Sequence, residues 1–116
     1  MEDGRAEKKN ALEKIPVGEI PLSFLHSIVR VLMWAHAVKG YQWGDWRKGH
    51  PYMTNLNACI RHLFAFIGGR DNDPESGLSH LWHAACQIMF VVHNHEKYGK
   101  ALDDRPVTST VVETVD

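Results

Sequence analysis

Two histidines at helical spacing, His80 and His83, follow a short stretch that contains Asp73 and Ser76. Residues three and four positions apart share one face of a helix, so the two imidazoles can converge on one ligand, with Asp73 at the start of the helix. The N-terminus of a helix also attracts anions through its free N–H groups. Two interpretations stay open: a site for a metal or a phosphate, or the solvated polar face of an amphipathic helix.

A second candidate site is the linker at 41–50, which reads YQWGDWRKGH. Aromatic faces such as those of Trp43 and Trp46 can stack on a nucleobase, and the neighbouring cations Arg47 and Lys48 can hold phosphates. In the alternative interpretation the two tryptophans cap the core and the two cations are solvated.

A third candidate is the pair Arg61-His62, which helical geometry places away from the apolar stripe of its helix. The pair lies either on the surface or with His62 facing His80 and His83 across a groove between helices. For His36, which lies on an apolar stripe, we expect a buried position with its hydrogen bonds satisfied.

The composition limits the classes of protein that remain. A length of 116 residues predicts one domain with one core. The formal charge of −1 gives no electrostatic basis for binding duplex nucleic acid, and the apolar runs are too short to span a membrane. The N-terminus lacks the apolar stretch of a signal peptide, which predicts an intracellular protein. Eight histidines are the unusual feature, and they favour metal, phosphate or proton-transfer chemistry.

Three helical patterns must position these residues, which predicts an all-α fold, a bundle of three main helices. The first runs over about 21–39 and stops at Gly40, and the second runs over about 52–67 and stops at Gly68. The third begins at Asp73 as the capping residue, with Pro74 and Glu75 in its first turn. We expect a flexible leader at 1–14, an ordered helical domain at 15–106 and a tail at 107–116.

The apolar faces of the helices predict a homo-oligomer, a dimer or higher. A helix that is apolar on nearly all sides is buried on nearly all sides, and a three-helix monomer cannot enclose the first helix. Its extra apolar residues are Phe24, Val31, Trp34 and Val38. In the third helix we expect a core stripe of Leu78, Leu81, Trp82, Ala85, Ile88, Met89 and Val92, with Ser76, His80, His83, Gln87 and Asn94 on the opposite side.

Three blocks of the chain form a recognisable pattern: DWRKG at 45–49, RHLFAF at 61–66 and DNDPESGLSHLWHAAC at 71–86. Together they closely resemble a phage and prophage family described as dATP/dGTP diphosphohydrolase, N-terminal domain, over about 31–106. The resemblance implies a cytoplasmic protein of the bacterial host that splits purine deoxynucleoside triphosphates into monophosphate and pyrophosphate. It also suggests kinship with oligomeric, all-α, metal-dependent nucleotide pyrophosphohydrolases.

Carried onto this sequence, the resemblance implies a role for each candidate residue. His62 is the general base, since the free imidazole has a pKa near neutrality. A divalent ion polarises a phosphoryl oxygen and activates water, and Glu75 serves both that ion and catalysis. The implied metal ligands are Asp73, Glu75, His80 and His83, and the implied nucleotide-binding residues are Asp45, Trp46, Arg47, Lys48 and Arg61.

Few carboxylates are available in the helical part of the chain, which bears on the metal. Magnesium prefers hard oxygen ligands. A histidine-rich site suits manganese or zinc better than magnesium. The same residues suit an alternative function, a non-catalytic phage protein that sequesters a signalling nucleotide.

Overall fold

The computed structural model describes Lys14 and residues 16–106, and within them it confirms an all-α fold with three helices: α1 (Leu22–Lys39), α2 (Tyr52–Ile67) and α3 (His80–Tyr98). Short 3-10 turns at Val17–Glu19, Asp45–Lys48 and Gly99–Leu102 precede or connect them. The leader and the tail expected from the sequence lie outside the described residues, apart from Lys14. No helix in the described part is long and apolar enough to cross a membrane.

The central helix is α3, because α1 and α2 each pack against it. Between α1 and α3 lies a small apolar core built on the buried side chains of Ile28, Val31 and Cys86. Half-buried apolar residues pack around that core, among them Trp82 and Phe90. The interface between α2 and α3 is different, since its buried side chains include Asn55, His80 and His83.

The first two helices have the predicted bounds to within one residue. Helix α1 ends where Gly40 adopts a left-handed backbone with φ of 79°, a conformation that costs glycine little. The same end is tied by His36, whose Nδ1 lies 2.8 Å from the carbonyl oxygen of Tyr41. The expectation for His36 holds in part, because Nδ1 has this polar partner but the side chain is half-buried and not buried.

The prediction that the third helix begins at Asp73 is wrong, because α3 begins at His80. Gly77 takes φ of 73°, which interrupts any helix that would start upstream. Ser79 is the actual capping residue, and its side chain accepts a hydrogen bond from the N–H of Leu81. The carboxylate of Asp73 instead caps a tight turn in the preceding loop.

The predicted division of α3 into a buried apolar stripe and a solvated polar face holds only in part, because four of the seven stripe residues pack on the core but the polar face is not solvated. His80, His83 and Asn94 are at most 5% exposed, whereas Ile88 and Val92 are 43% and 50% exposed. The reason is the packing of α2, which covers the polar face of α3. The histidines are therefore inside the molecule, where their hydrogen bonds and charges have large effects.

The expectation for α1 holds in part. Phe24 and Val38 are exposed, but Val31 belongs to the core and Trp34 is half-buried against His83. Oligomerisation itself stays a prediction.

Candidate functional site

The loop between α2 and α3 is held in one shape by hydrogen bonds around Asp73. Its Oδ1 accepts from the backbone N–H groups of Glu75 at 2.7 Å and Ser76 at 3.0 Å. The N–H of Asp73 donates to the carbonyl of Leu78 at 2.8 Å, and the N–H of His80 donates to the carbonyl of Asp71 at 2.9 Å. These bonds leave the second carboxylate oxygen of Asp73 free of the turn and direct the side chain toward α2.

Three histidines meet between α2 and α3. The Nδ1 atoms of His62 and His80 are 2.8 Å apart, and the rings of His62 and His83 stack with their centroids 4.6 Å apart and planes 10° from parallel. The groove expected from the sequence between His62 and the two histidines of α3 is therefore present. It is closed on the α1 side by Trp34, whose ring meets the His83 ring edge-on at 5.4 Å.

Asp73 and two of these histidines, His62 and His80, form a cluster of the kind that binds metal ions. Its Oδ2 lies 3.9 Å from Nδ1 of His62, and one ligand atom each from His62, Asp73 and His80 fall within 4.8 Å of one another. The Nε2 atom of His80 is buried without a hydrogen-bond partner among the described residues. Of the four predicted metal ligands, Asp73 and His80 lie in this group, and His62 joins them.

His83 has a different partner, the hydroxyl of Ser76. Ser76 Oγ accepts from the N–H of Leu78 at 3.1 Å and lies 2.7 Å from Nε2 of His83. A hydroxyl has one hydrogen and two lone pairs, so Ser76 donates to Nε2 in one tautomer of His83 and accepts from it in the other. In either tautomer this contact holds the His83 ring in position.

The surroundings of His62, His83 and Asp73 favour neutral imidazoles beside an ionised carboxylate. Burial lowers the pKa of His62, and the neighbouring His83 lowers it further. Burial likewise lowers the pKa of His83 against the opposing effect of Asp73. Burial acts to raise the pKa of Asp73, but hydrogen bonds from the N–H groups of Ser76 and Glu75 bring it below its ordinary value. Neutral imidazoles and an ionised carboxylate are the forms that bind metal ions.

An adjacent cavity of about 390 Å³ opens between α1, the linker and the two other helices. Its volume is within the range of about 300–1,000 Å³ found for small-molecule sites. We name it the aromatic cavity, because its lining includes Trp34, Tyr41, Trp43, Trp46 and Phe90. His83 lines the aromatic cavity and stacks on His62, so its ring lies between the cavity and the group of His62, Asp73 and His80.

The linker residues predicted to bind a nucleotide separate into two pairs. Asp45 and Trp46 line the aromatic cavity. Trp46 stacks on Phe90 with centroids 5.1 Å apart, and Asp45 is fixed by the N–H of Gln42 and by Lys48, 3.0 Å away. Lys48 is exposed in that ion pair, and Arg47 is exposed with its guanidinium 5.1 Å from the ring centre of Trp46. Neither Arg47 nor Lys48 is among the cavity-lining residues.

Arg61 and Glu75 also have clear positions. Arg61 lines the aromatic cavity and directly precedes His62 in the sequence. Glu75 forms an ion pair with Lys39 of α1, 2.9 Å away, and lies outside the group formed by His62, Asp73 and His80. Its carboxylate raises the pKa of Lys39 by accepting a hydrogen bond.

Sequence reasoning missed two residues of the cavity wall, Asn55 and Gln87, as a pair. Asn55 is 7% exposed, and its Nδ2 donates to Oε1 of Gln87 at 2.7 Å. The available signal was weak: Asn55 is a polar residue one helical turn before Cys59, on a face that the apolar pattern of α2 assigned to solvent. Only the packing of α2 on α3 reveals that this face is buried.

The family described as dATP/dGTP diphosphohydrolase, N-terminal, matches residues 4–105. Since this match spans most of the chain, the protein belongs to that family. It is 33% identical over 78 residues to a dATP/dGTP diphosphohydrolase of Salmonella phage PMBT28, a match that covers 67% of this chain and 26% of the relative. The chain thus spans about a quarter of the length of that relative. No solved structure matches the chain significantly.

Proposed function

We propose that this domain binds a purine deoxynucleoside triphosphate in the aromatic cavity and acts in its hydrolysis to monophosphate and pyrophosphate, with a divalent metal ion. One observation carries the proposal: His83 on the cavity wall stacks on His62, which belongs to the group that can hold a metal ion. The name of the phage relative supports the choice of substrate.

His62, Asp73 and His80 are the residues we assign to the metal ion. Two imidazole nitrogens and one carboxylate oxygen form a donor set that suits manganese or zinc, whereas magnesium prefers oxygen ligands. When bound, a divalent ion there would withdraw charge from a phosphoryl oxygen. Sequence reasoning makes His62 the general base, but its position in the group supports the role of ligand.

The remaining groups of the site bind and orient the substrate. Arg61 on the cavity wall neutralises a phosphate, and His83, in the tautomer that carries its proton on Nδ1, donates to a phosphate oxygen. The faces of Trp43 and Trp46 offer stacking surfaces for the base. Asp73 and Ser76 act through the loop, because their hydrogen bonds set the positions of the ligand group and of His83.

The test is an assay of binding and turnover on the same protein. The protein is stripped of metal, supplied with Mn²⁺, Zn²⁺ or Mg²⁺, and incubated with each of the four deoxynucleoside triphosphates, after which the products are separated by anion exchange. We expect monophosphate and pyrophosphate from purine nucleotides. Asp73→Asn keeps the acceptor of the turn but removes the charge, so it should abolish the metal-dependent turnover. Tight binding of an intact nucleotide would contradict hydrolysis and leave a binding module.

A further inference from the structure

The wall of the aromatic cavity contains a pair of side-chain amides that the site described so far does not use. Asn55 lies on α2 and Gln87 on α3, and both line the cavity. The Nδ2 atom of Asn55 donates to Oε1 of Gln87 at 2.7 Å, and this hydrogen bond links the two helices.

One atom of this pair lacks a partner. Oδ1 of Asn55 is buried and accepts no hydrogen bond from any described residue. A buried polar atom without a partner destabilises the fold, so apolar residues of similar size would join α2 and α3 at lower cost. An acceptor kept at this cost in the wall of a cavity is explained by a ligand that donates to it.

The hydrogen bond between the amides fixes what they offer to a ligand. Since Oε1 of Gln87 is taken by Asn55, Gln87 offers its amino group and Asn55 offers its Oδ1. If both amides were reversed, the bond between them would be kept, and the pair would still offer one donor and one acceptor. The pair therefore fits a ligand edge that carries an acceptor beside a donor.

The surroundings of the pair are those of a base-binding pocket. Trp46 stacked on Phe90 and Trp43 stacked on His36 line the same cavity, and aromatic faces of this kind hold a planar heterocycle. Adenine presents an amino donor beside a ring nitrogen, and guanine presents a ring N–H beside a carbonyl. Unsubstituted purine has the same ring size but no such donor.

We propose that Asn55 and Gln87 form the subsite that recognises the base, taking the edge of a 6-substituted purine by accepting from its N–H group and donating to the neighbouring acceptor. This inference rests on the proposed function, which places a nucleotide in the aromatic cavity. The pair is a specificity determinant, because a site that hydrogen-bonds a donor discriminates strongly against analogues that lack it.

The experiment compares the affinity of the metal-loaded protein for dATP with that for purine 2′-deoxyriboside triphosphate by calorimetry, with both nucleotides as α,β-methylene analogues that the proposed hydrolysis does not cleave. We expect the dATP analogue to bind at least about tenfold more tightly to the unaltered protein. Asn55→Leu removes the acceptor for the N–H group, so it should reduce this ratio toward one. Gln87→Glu keeps the acceptor for Asn55 but removes the amino donor to a ring nitrogen that both nucleotides carry, so it should weaken the binding of both. The matched control Asn57→Leu, at an exposed position of α2, should leave the ratio unchanged.

The outcomes separate the two proposals. If neither nucleotide binds, the proposed function fails. If both bind to the unaltered protein with equal affinity, nucleotide binding stands and the base subsite is overturned. Circular dichroism of each variant identifies loss of helix. If Asn55→Leu unfolds, Gln87→Glu still decides, and a folded Gln87→Glu protein that binds both nucleotides as tightly as the unaltered protein contradicts the subsite.

Discussion

The Nδ1 atoms of His62 and His80 lie 2.8 Å apart across the interface of α2 and α3, although the residues are 18 positions apart in the chain. Two imidazole nitrogens approach this closely only with a proton or a cation between them. Asp73 Oδ2 lies 3.9 Å from Nδ1 of His62, and its negative charge favours a cation bound between the two histidines. This relationship is the basis for the first prediction.

Metal-free protein should gain thermal stability from Zn²⁺ or Mn²⁺ and little from Mg²⁺. An ion that binds only the folded state adds about 2.7 kcal/mol at a concentration about 100 times its Kd, which raises Tm by roughly 10–20 °C in a domain of this size. Differential scanning calorimetry with and without a chelator measures the shift. Asp73→Asn should remove most of it, and the exposed Asp71→Asn serves as the control. An equal shift in Asp73→Asn would exclude the assigned ligands.

The sequence predicted the helices better than it predicted their orientation. Helical periodicity and glycine stops gave the bounds of α2 and the end of α1, because both signals are local. Which face of α3 is buried depends on where α2 packs, and that contact joins residues distant in the chain. For this reason Ile88 and Val92 are exposed while His80 and His83 are inside.

The candidate site shows the same limit. Residue type and helical spacing identified Asp73, His80 and His83 as candidate metal ligands. The structure places His62 beside Asp73 and His80 instead of His83. Glu75 shares the loop with Asp73, but Lys39 of α1 holds its side chain. No local sequence pattern predicts that ion pair, because the packing of α1 determines where Lys39 lies.

Glu75→Gln tests whether Glu75 acts in chemistry or through its ion pair. The sequence predicts a direct role, for which turnover would fall by orders of magnitude. The contact with Lys39, 2.9 Å away and partly exposed, leads us to expect a change below about tenfold, which corresponds to about 1.4 kcal/mol in the barrier. Single-turnover kinetics with saturating Mn²⁺ measures the effect. Lys39→Gln should reproduce it if the ion pair is the only role, whereas a much larger loss in Glu75→Gln alone would restore the direct role.

Metal-free protein should lose stability as the pH falls below about 6.5, the ordinary pKa of histidine. The pKa values of His62 and His83 are lowered in the folded protein, so the unfolded chain takes up protons first. Their contribution is complete above this window and is lost as the pH falls toward the lowered values. Each unit of pKa difference is equivalent to about 1.4 kcal/mol. Urea unfolding at about pH 7.5 and about pH 5.5 measures the loss, which His83→Gln should reduce and exposed His26→Gln should not.

The protein should form a dimer or a higher oligomer through an apolar stripe of α1. Leu25, Val29 and Met33 follow one another at four-residue spacing, and they are 44%, 46% and 53% exposed. A row of exposed apolar side chains on one helix face is typical of a surface that binds another protein chain. Light scattering at micromolar concentration should report a multiple of 13.2 kDa. Val29→Asp should shift the mass toward the monomer, because it places a charge at the centre of the stripe. Ser23→Asp, at an exposed position a third of a turn around the helix, is the matched control. A monomeric unaltered protein would contradict the prediction.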